Sequence, residues 1–158
     1  YIPPKKGRKH ILYIIRELLD FTPQSNQTDI SVALEFLSGV AKRHCTAFMM
    51  SDFYDRKSFL HPLTISNRKH DVVAIQVYDW WERRLPDVGL LKVRDAESGN
   101  EQYIDTGSKK LRDLHQRNWN NRQASLHEVF TKSNVDNVSI ATDEDYVKQL
   151  MMLFRKRN

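Results

Sequence analysis

The sequence contains the stretch Cys45-Thr46-Ala47-Phe48-Met49-Met50, which is largely apolar and too short to form a helix. It predicts a strand buried on both faces, as strands of parallel sheets are. A second apolar stretch, Val72-Val73-Ala74-Ile75-Gln76-Val77-Tyr78, has the same character, and a third strand is predicted over 136–141. Because helical sequence lies between these strands, the pattern indicates an α/β fold with a mostly parallel sheet.

Helical periodicity precedes and separates the first two strands. Apolar residues recur at helical spacing over residues 7–21, and Thr28 with Asp29 opens a second helix. A third helix is predicted over 56–69, with a restart at Pro62 as the alternative.

Two further helices are predicted in the second half of the chain. The longer one is predicted from residues near heptad spacing, and an interruption at the polar stretch 118–123 is left open; these residues are Leu111, His115, Trp119, Arg122, Leu126, Val129 and Phe130. At the start of the last helix, Thr142 with Asp145 three residues later resembles a capping box. This helix is expected to bury Tyr146, Val147, Leu150, Met151 and Phe154.

The alternation of helices and strands is interrupted by residues 87–106, which predict an inserted β-hairpin. The predicted fold is therefore a partial doubly wound, Rossmann-like sheet flanked by helices. Three parallel strands are fewer than the roughly 5–6 of an average sheet. We therefore expect residues 1–158 to be the C-terminal part of a single domain whose first strands lie upstream, and the absence of an initial Met points to a fragment.

The net charge of +5 is concentrated at the two ends of the chain. Seven basic residues lie there without an acidic neighbour, which leaves 18 basic against 20 acidic residues in the body. A nucleic-acid binder spreads Lys and Arg over one face, so solvated helix ends are favoured over nucleic-acid binding. No nucleic-acid partner is predicted.

Cysteine content and hydropathy indicate in which cellular compartment the chain is expected to lie. The single Cys45 excludes an intramolecular disulfide and a multi-thiolate zinc site, which indicates a reducing, cytoplasmic compartment. No apolar stretch approaches the roughly 20 residues that span a bilayer, so no membrane segment is predicted in this chain. A targeting or membrane segment upstream stays open.

Acidic and hydroxyl side chains follow the predicted strands, where doubly wound sheets bind ligands. Asp52 follows the first strand, Asp79 the second and Asp143 the third, and Thr28 begins a helix near the same edge. Oxygen ligands gathered there would suit Mg²⁺ or Mn²⁺. The alternative is that Asp52 caps a turn while Asp79 and Thr28 cap helices.

Other catalytic patterns are absent from the sequence. The five glycines form neither a dinucleotide-binding fingerprint nor a phosphate loop, and there is no G-x-S-x-G or H-E-x-x-H motif. The histidines are predicted to be surface or capping residues, and Cys45 to be a small buried hydrophobe. Trp80 and Trp81 are interpreted either as an exposed partner-binding patch or as a lid that packs the hairpin onto the sheet.

Several short motifs, in order along nearly the whole chain, resemble the bacterial domain-of-unknown-function family number fifty-eight. The motifs are Pro3-Pro4-Lys5-Lys6-Gly7-Arg8-Lys9-His10-Ile11-Leu12, Thr28-Asp29-Ile30, Ser51-Asp52-Phe53, Arg68-Lys69-His70-Asp71-Val72-Val73-Ala74-Ile75, Asp79 with Glu82, Leu85-Pro86-Asp87-Val88-Gly89 and Asp95-Ala96-Glu97-Ser98-Gly99. The combination is specific to the family, whereas each piece alone is weak.

The resemblance implies a von Willebrand factor A-like fold with a metal-ion-dependent adhesion site at the carboxyl edge of the sheet. Thr28 matches the threonine of that site and Asp52 matches its aspartate. The Asp-x-Ser-x-Ser loop that completes the site is not in this sequence, so the resemblance implies that it lies upstream. Mg²⁺ binding is therefore expected only of the full-length protein.

The resemblance also implies a binding module rather than an enzyme. Relatives of this family commonly occur beside MoxR-type AAA+ ATPases and are thought to act as adaptors in chaperone-like assembly. The rival hypothesis is a Mg²⁺-dependent phosphoryl-transfer or nuclease enzyme that uses Asp52, Asp79 and Asp143. The missing strands further predict an unpaired edge along 45–50, covered by homodimerisation or by another segment.

Overall fold

The computed structural model describes residues 1–23, 28–95 and 99–157 of the chain. Its elements are α1 (Arg8–Asp20), α2 (Ile30–Val40), β1 (Thr46–Ser51), α3 (Leu60–Lys69), β2 (Asp71–Tyr78), α4 (Trp80–Arg83), β3 (Leu90–Arg94), β4 (Glu101–Asp105), α5 (Lys109–Ser133), β5 (Asp136–Ala141) and α6 (Tyr146–Arg157). The predicted mixed α/β fold is confirmed. None of the described helices is long and apolar enough to cross a bilayer.

A parallel sheet organises the molecule. Its strand order is β1-β2-β5, with Thr46 opposite Asp71 and Val73 opposite Asp136. The central strand β2 is buried along most of its length because neighbours flank it on both sides. Parallel pairing brings the carboxyl ends of the three strands to one edge of the sheet.

The main core lies on one face of the sheet, beneath α2, α3 and α5. Alternate residues of β2, among them Val72 and Ala74, point into it, since successive strand residues point to opposite faces. The cluster comprises Ile30, Leu34, Phe53, Phe59, Leu63, Val72, Ala74, Leu126, Phe130 and Val135. Tyr78, Trp119 and Ala141 extend it towards the carboxyl edge as a second cluster.

The opposite face of the sheet is covered less completely. The side chains of Phe48 and Met50 on β1 are 46% and 70% exposed, so the prediction that this strand is buried on both faces is wrong. α6 packs mainly along β5 and reaches β1 through an edge-to-face contact between Phe48 and Phe154. A single helix is too narrow to cover three strands, which explains the exposed apolar side chains.

The burial predicted for α6 is also wrong in its details. Leu153 is its buried residue, and Leu150 is half-buried. The other four predicted core positions, Tyr146, Val147, Met151 and Phe154, are exposed. The amphipathic pattern was read correctly as helical, but it does not determine which part of the apolar stripe meets the sheet.

Helix boundaries follow local hydrogen bonding. α2 is capped by Asp29, whose side chain accepts from the Val32 N–H at 3.2 Å, so the capping role predicted for Thr28 is wrong. At α6 the Asp145 carboxylate accepts from the Val147 N–H at 3.0 Å, in place of the predicted cap at Thr142. In both cases the carboxylate nearest the helix start takes the backbone donors.

Two other predictions about helices are resolved by the structure. α5 runs without a break through the polar stretch 118–123, because Trp119 within that stretch is buried against the sheet. α3 begins at Leu60, with Pro62 in its first turn, where proline is tolerated.

The inserted hairpin is confirmed as the antiparallel pair β3 and β4, with Leu90 opposite Asp105. Residues 96–98 of its predicted turn lie outside the described residues. The buried Thr106 anchors the base of the hairpin: its hydroxyl donates to the Gly89 carbonyl at 2.6 Å, and its carbonyl accepts from Arg112 of α5 at 2.5 Å. The hairpin is therefore tied to the start of α5.

Candidate functional site

The carboxyl edge of the parallel sheet is the first place to look for a site, since such sheets bind ligands there. Asp52 follows β1 directly and is exposed at this edge. Its Oδ1 accepts from the Tyr54 N–H at 3.0 Å and from the Ser51 hydroxyl at 3.4 Å. Asp52 therefore caps a turn, as one of the two interpretations held, and its side chain is still accessible to solvent.

Thr28 lies in a segment that is joined to the loop after β1. The Oδ2 of Asp55 in that loop accepts from the Ile30 N–H at 2.8 Å, at the start of α2. Asp29 and Lys57 add an ion pair of 2.6 Å between the same two segments. The hydrogen bond from Lys57 lowers the pKa of the Asp29 carboxyl below its usual range. The structure thus brings the segment of Thr28 next to that of Asp52.

Asp79 is the N-cap residue of α4, and both of its carboxylate oxygens accept hydrogen bonds. Its Oδ1 accepts from the Trp81 N–H at 2.8 Å, and Glu82 Oε1 accepts from the Asp79 N–H at 3.0 Å, which completes a capping box. The Thr142 hydroxyl lies 3.5 Å from Asp79 Oδ2 and donates to it. The capping interpretation of Asp79 is confirmed, and Asp143 is an exposed residue of the following turn.

The acidic residues at this edge do not gather into a metal centre by themselves. Across residues 1–23, 28–95 and 99–157 there is no group of three His, Cys, Asp or Glu side chains that could hold a metal ion. The three-carboxylate site of the enzyme hypothesis, Asp52 with Asp79 and Asp143, is therefore not assembled. The Thr28 hydroxyl and the Asp52 carboxylate are oxygen donors of the kind Mg²⁺ prefers, but an octahedral shell needs more ligands than these two.

α4 presents the tryptophan pair at the same edge. Trp80 is 41% exposed and Trp81 is 52% exposed, so the rings do not form a buried lid between the hairpin and the sheet. The Arg83 guanidinium lies 5.0 Å from the centroid of the Trp80 ring, within the range of a cation–π contact. A surface cavity of about 530 Å³ lies against both tryptophans, Arg84 and Arg112.

A second cavity, of about 410 Å³, is lined by Glu82 of α4 and by residues of α5. We call it the Arg122 cavity; its lining residues are Tyr54, Glu82, His115, Asn118, Trp119 and Arg122. The Arg122 guanidinium lies between two rings, 5.0 Å from the centroid of Tyr54 and 4.7 Å from that of Trp119. Arg122 Nη2 also lies 3.3 Å from Glu82 Oε2. Three separate elements thus converge on one arginine.

His115 of α5, which also lines the Arg122 cavity, joins α5 to α4. Its Nε2 lies 2.8 Å from the Glu82 carbonyl oxygen and 3.2 Å from that of Trp81. Since both partners are acceptors, Nε2 carries a hydrogen and donates to them. The histidine therefore holds the carboxyl end of α4 against α5.

Residues 1–125 match the family described as "Protein of unknown function DUF58". The chain belongs to the DUF58 family. The resemblance inferred from the ordered motifs is therefore confirmed at the level of the family. No solved structure matches the chain.

The curated relatives of this DUF58 chain are mycobacterial proteins. An uncharacterized protein of Mycobacterium tuberculosis is 29% identical over 160 residues, which cover 99% of this chain and 50% of that protein. An uncharacterized protein of Mycobacterium bovis gives the same figures. An uncharacterized protein of Mycobacterium avium is 25% identical over 160 residues, 99% of this chain and 93% of that protein. The chain thus spans about half the length of the first two relatives.

The opposite, amino-terminal edge of the sheet in this DUF58 chain carries a Cys–His contact. Cys45 is half-buried, and its Sγ lies 3.5 Å from Nδ1 of His70, which is almost fully buried. His70 is the C-cap residue of α3, and its backbone N–H donates to the Ser66 carbonyl at 2.8 Å, so of the two roles predicted for the histidines it has the capping role and is not at the surface. Burial lowers the pKa of the His70 imidazole below its usual range, so His70 is neutral at pH 7.

The Arg122 cavity was not predicted from the sequence. His115, Trp119 and Arg122 were recognised only as part of the long helix, because their spacing of four and three residues marks one helical face. On that face two polar side chains lie beside a tryptophan, and this is the one feature of the sequence that points to the cavity. Its meeting with Tyr54 and Glu82 depends on tertiary packing and could not be read from spacing.

Proposed function

We propose that this DUF58 chain is a non-enzymatic protein-interaction module whose contact surface is centred on α4. The observation that carries the proposal is the exposed pair Trp80 and Trp81, displayed on a short helix at the carboxyl edge of the sheet. Tryptophan and arginine are the residues most enriched at the energetic centres of protein interfaces. Arg83 and Arg84 follow the pair after one intervening residue, Glu82.

The rigidity of α4 supports this proposal. A capping box fixes its first turn, and the hydrogen bonds from His115 to the carbonyls of Trp81 and Glu82 fix its last residues. A surface already held in its binding conformation loses less conformational entropy on association. The helix is therefore suited to present its tryptophans without rearrangement.

The partner that we propose is a MoxR-type AAA+ ATPase, with the module acting as an adaptor in chaperone-like assembly. This part of the proposal rests on the family resemblance, since the curated relatives are uncharacterized. We further propose that Thr28 and Asp52 are two ligands of a Mg²⁺ site that is complete only in the full-length protein. When bound, the ion would bridge the module to a carboxylate of the partner.

A second copy of the chain is the proposed occupant of the open side of β1. Within the described residues β1 pairs only with β2, and its exposed Phe48 and Met50 lie on the sheet face next to this free edge. An unpaired apolar strand edge is a template for pairing with another strand. Homodimerisation along β1 would cover it.

The central test is capture of a purified MoxR-type ATPase by the full-length protein. Trp81→Ala is expected to weaken capture by at least about tenfold, as loss of an interface hot spot does. Tyr103→Ala on the hairpin is the matched control, because Tyr103 is also an exposed aromatic residue. Unchanged capture by a Trp80→Ala, Trp81→Ala double variant would contradict the proposed surface.

The metal part of the proposal has its own measurement. Calorimetric titration of the full-length protein with Mg²⁺ is expected to show binding that Asp52→Ala removes. Asp105→Ala, an exposed aspartate of β4 in the hairpin, is the control and is expected to leave binding intact. If the unaltered full-length protein does not bind Mg²⁺, the proposed metal site is wrong. The proposed tryptophan surface is tested separately, by capture of the ATPase.

A further inference from the structure

We propose that the Arg122 cavity binds a carboxylate side chain from an acidic segment of the protein partner. This inference rests on the proposed interaction function and adds the chemistry by which the partner is recognised. Glu82, the residue after Trp81, lines the cavity, so a segment that contacts Trp81 is expected to reach Arg122 as well. Three features of the cavity favour an anionic oxygen ligand.

The first feature is a preorganised guanidinium. Arg122 is held between the Tyr54 and Trp119 rings, at 5.0 and 4.7 Å from their centroids, which restricts its rotation. Its side chain is 29% exposed, so it is accessible from the cavity that it lines. Arginine binds carboxylates through two parallel N–H donors, and a fixed plane makes that geometry available without loss of side-chain entropy.

The second feature is unused donor capacity on Arg122. Its Nε is buried and has no hydrogen-bond partner among the described residues. Glu82 uses Oε2 for Arg122 Nη2 and Oε1 for the Asp79 N–H, so both of its oxygens are already engaged. A buried donor without an acceptor is unfavourable, and a carboxylate that repacks against the guanidinium would supply the acceptor.

The third feature is the remaining lining of the cavity. The exposed Asn118 lies one helical turn before Arg122 and offers an amide donor on the same face of α5. Glu82, the acidic residue in the lining, is paired with Arg122. The volume of about 410 Å³ is within the range of small-ligand pockets and is ample for a Glu or Asp side chain.

The surroundings of α4 favour an acidic segment over an isolated anion. Arg83 and Arg84 follow the tryptophans after Glu82, and Arg84 lines the neighbouring cavity of about 530 Å³, where Arg112 is paired with Asp87 at 3.0 Å. A peptide that crosses α4 from one cavity to the other would meet the positive charges of Arg83 and Arg84. Complementary charge of this kind selects acidic partners and accelerates their association.

The test uses a hexaglutamate peptide as the probe and hexaglutamine as its uncharged counterpart. Titration into the ¹⁵N-labelled chain is expected to shift the Nε–H signal of Arg122 and the indole N–H signal of Trp119 with hexaglutamate only. Inorganic phosphate is titrated separately. A stronger response to phosphate than to hexaglutamate would overturn the assignment to carboxylates.

Asn118→Asp is the decisive variant because it places a negative charge in the cavity at an exposed position that does not endanger folding. It is expected to weaken hexaglutamate binding by at least about tenfold. Asn121→Asp, an exposed residue of the same helix outside the lining, changes the net charge equally and is expected to bind normally. Equal weakening by the two variants would reduce the effect to general electrostatics and overturn the proposal.

The variant Arg122→Lys tests whether binding needs the guanidinium geometry or only a positive charge. The lysine keeps the positive charge but lacks the planar pair of donors, so weaker binding than in the unaltered chain is expected. The ATPase capture experiment distinguishes the two proposals. If Trp81→Ala abolishes capture whereas Asn118→Asp and Arg122→Lys leave both capture and hexaglutamate binding unchanged, the interaction module stands and the carboxylate site is wrong.

Discussion

Arg157 in the last turn of α6 forms an ion pair with Asp71, the first residue of β2. The same guanidinium lies 3.4 Å from Asp136, the first residue of β5, and the Thr46 hydroxyl donates to Asp71 at 3.2 Å. One arginine thus joins the end of a helix to the amino ends of two strands, next to the beginning of a third. The hydrogen bond from Arg157 lowers the pKa of the Asp71 carboxyl.

Replacing Arg157 with glutamine is expected to lower the free energy of unfolding at pH 7 by about 1 kcal/mol, because the pair is partly exposed and therefore screened. Since Asp71 has a lower pKa in the folded than in the unfolded protein, its contribution is complete above about pH 4 and is lost as the pH falls through the folded-state value. Urea unfolding at several acid pH values measures this. Lys92→Gln, which breaks the exposed pair with Glu101 in the hairpin, is the control; an acid sensitivity equal to that of Arg157→Gln would contradict the prediction.

The buried His70 predicts a different pH dependence. Its pKa is lowered on folding, so the unfolded chain takes up a proton near pH 6.5 while the folded chain does not. Stability is therefore expected to fall as the pH drops below about 6.5, until the folded-state value is passed. In His70→Asn the free energy of unfolding should depend less steeply on pH between pH 7.5 and about 5, even if the substitution also changes the stability at pH 7. Denaturant titrations at several pH values measure this dependence. The exposed His127→Asn is the control, and a slope unchanged in His70→Asn would refute the assignment.

Asn67 links three elements through its side chain. Its Nδ2 donates to the carbonyls of Ser133 and Asn134 at 3.2 and 2.7 Å, and its Oδ1 accepts from the Val72 N–H at 3.0 Å. Asn67→Ala is expected to destabilise the fold by about 2 kcal/mol, since backbone groups near the end of α5 lose their partner. Thermal unfolding followed by circular dichroism measures it. Asn134→Gly should be close to neutral, because Asn134 has a φ of 54°, which glycine adopts without strain.

The open side of β1 predicts self-association that depends on Met50. Met50→Lys is expected to leave secondary structure unchanged, since the side chain is 70% exposed, and to abolish dimerisation by placing charge on the strand edge. Multi-angle light scattering over a range of concentrations measures the mass. Val88→Lys, at another exposed apolar position, is the control. A monomeric unaltered chain with rapid amide exchange along β1 would rule out pairing there.

Elements whose identity is set by local periodicity were predictable from the sequence. β5 occupies the predicted 136–141, and each end of α1 lies within one residue of the predicted 7–21. Burial was predicted less well, because it depends on which neighbours cover a surface. Phe48 on β1 is as apolar as Val73 on β2, yet among the described strands of this sheet β2 alone has neighbours on both sides. Sequence pattern identifies a strand but does not identify its neighbours.

The candidate site was likewise predictable from the sequence only in part. The positions of Asp52 and Asp79 follow from parallel topology, which places strand ends at one edge, and their capping roles follow from the chemistry of carboxylates. The Arg122 cavity has no local signature. Tyr54, Glu82 and Arg122 are separated by 28 and 40 residues, and only the packing of α5 against α4 brings them together.

The carboxylate of Asp55 has a mechanical consequence for this edge of the molecule. Its Oδ2 holds the first residue of α2, while its Oδ1 accepts from the Lys57 N–H at 2.8 Å within its own loop. Asp55 therefore couples this loop to α2, which packs against α3 in the core, and a shift of the loop on contact with a partner is expected to move α2 with it. A spectroscopic label on the exposed Val32 is expected to report such contacts at a surface that it does not touch.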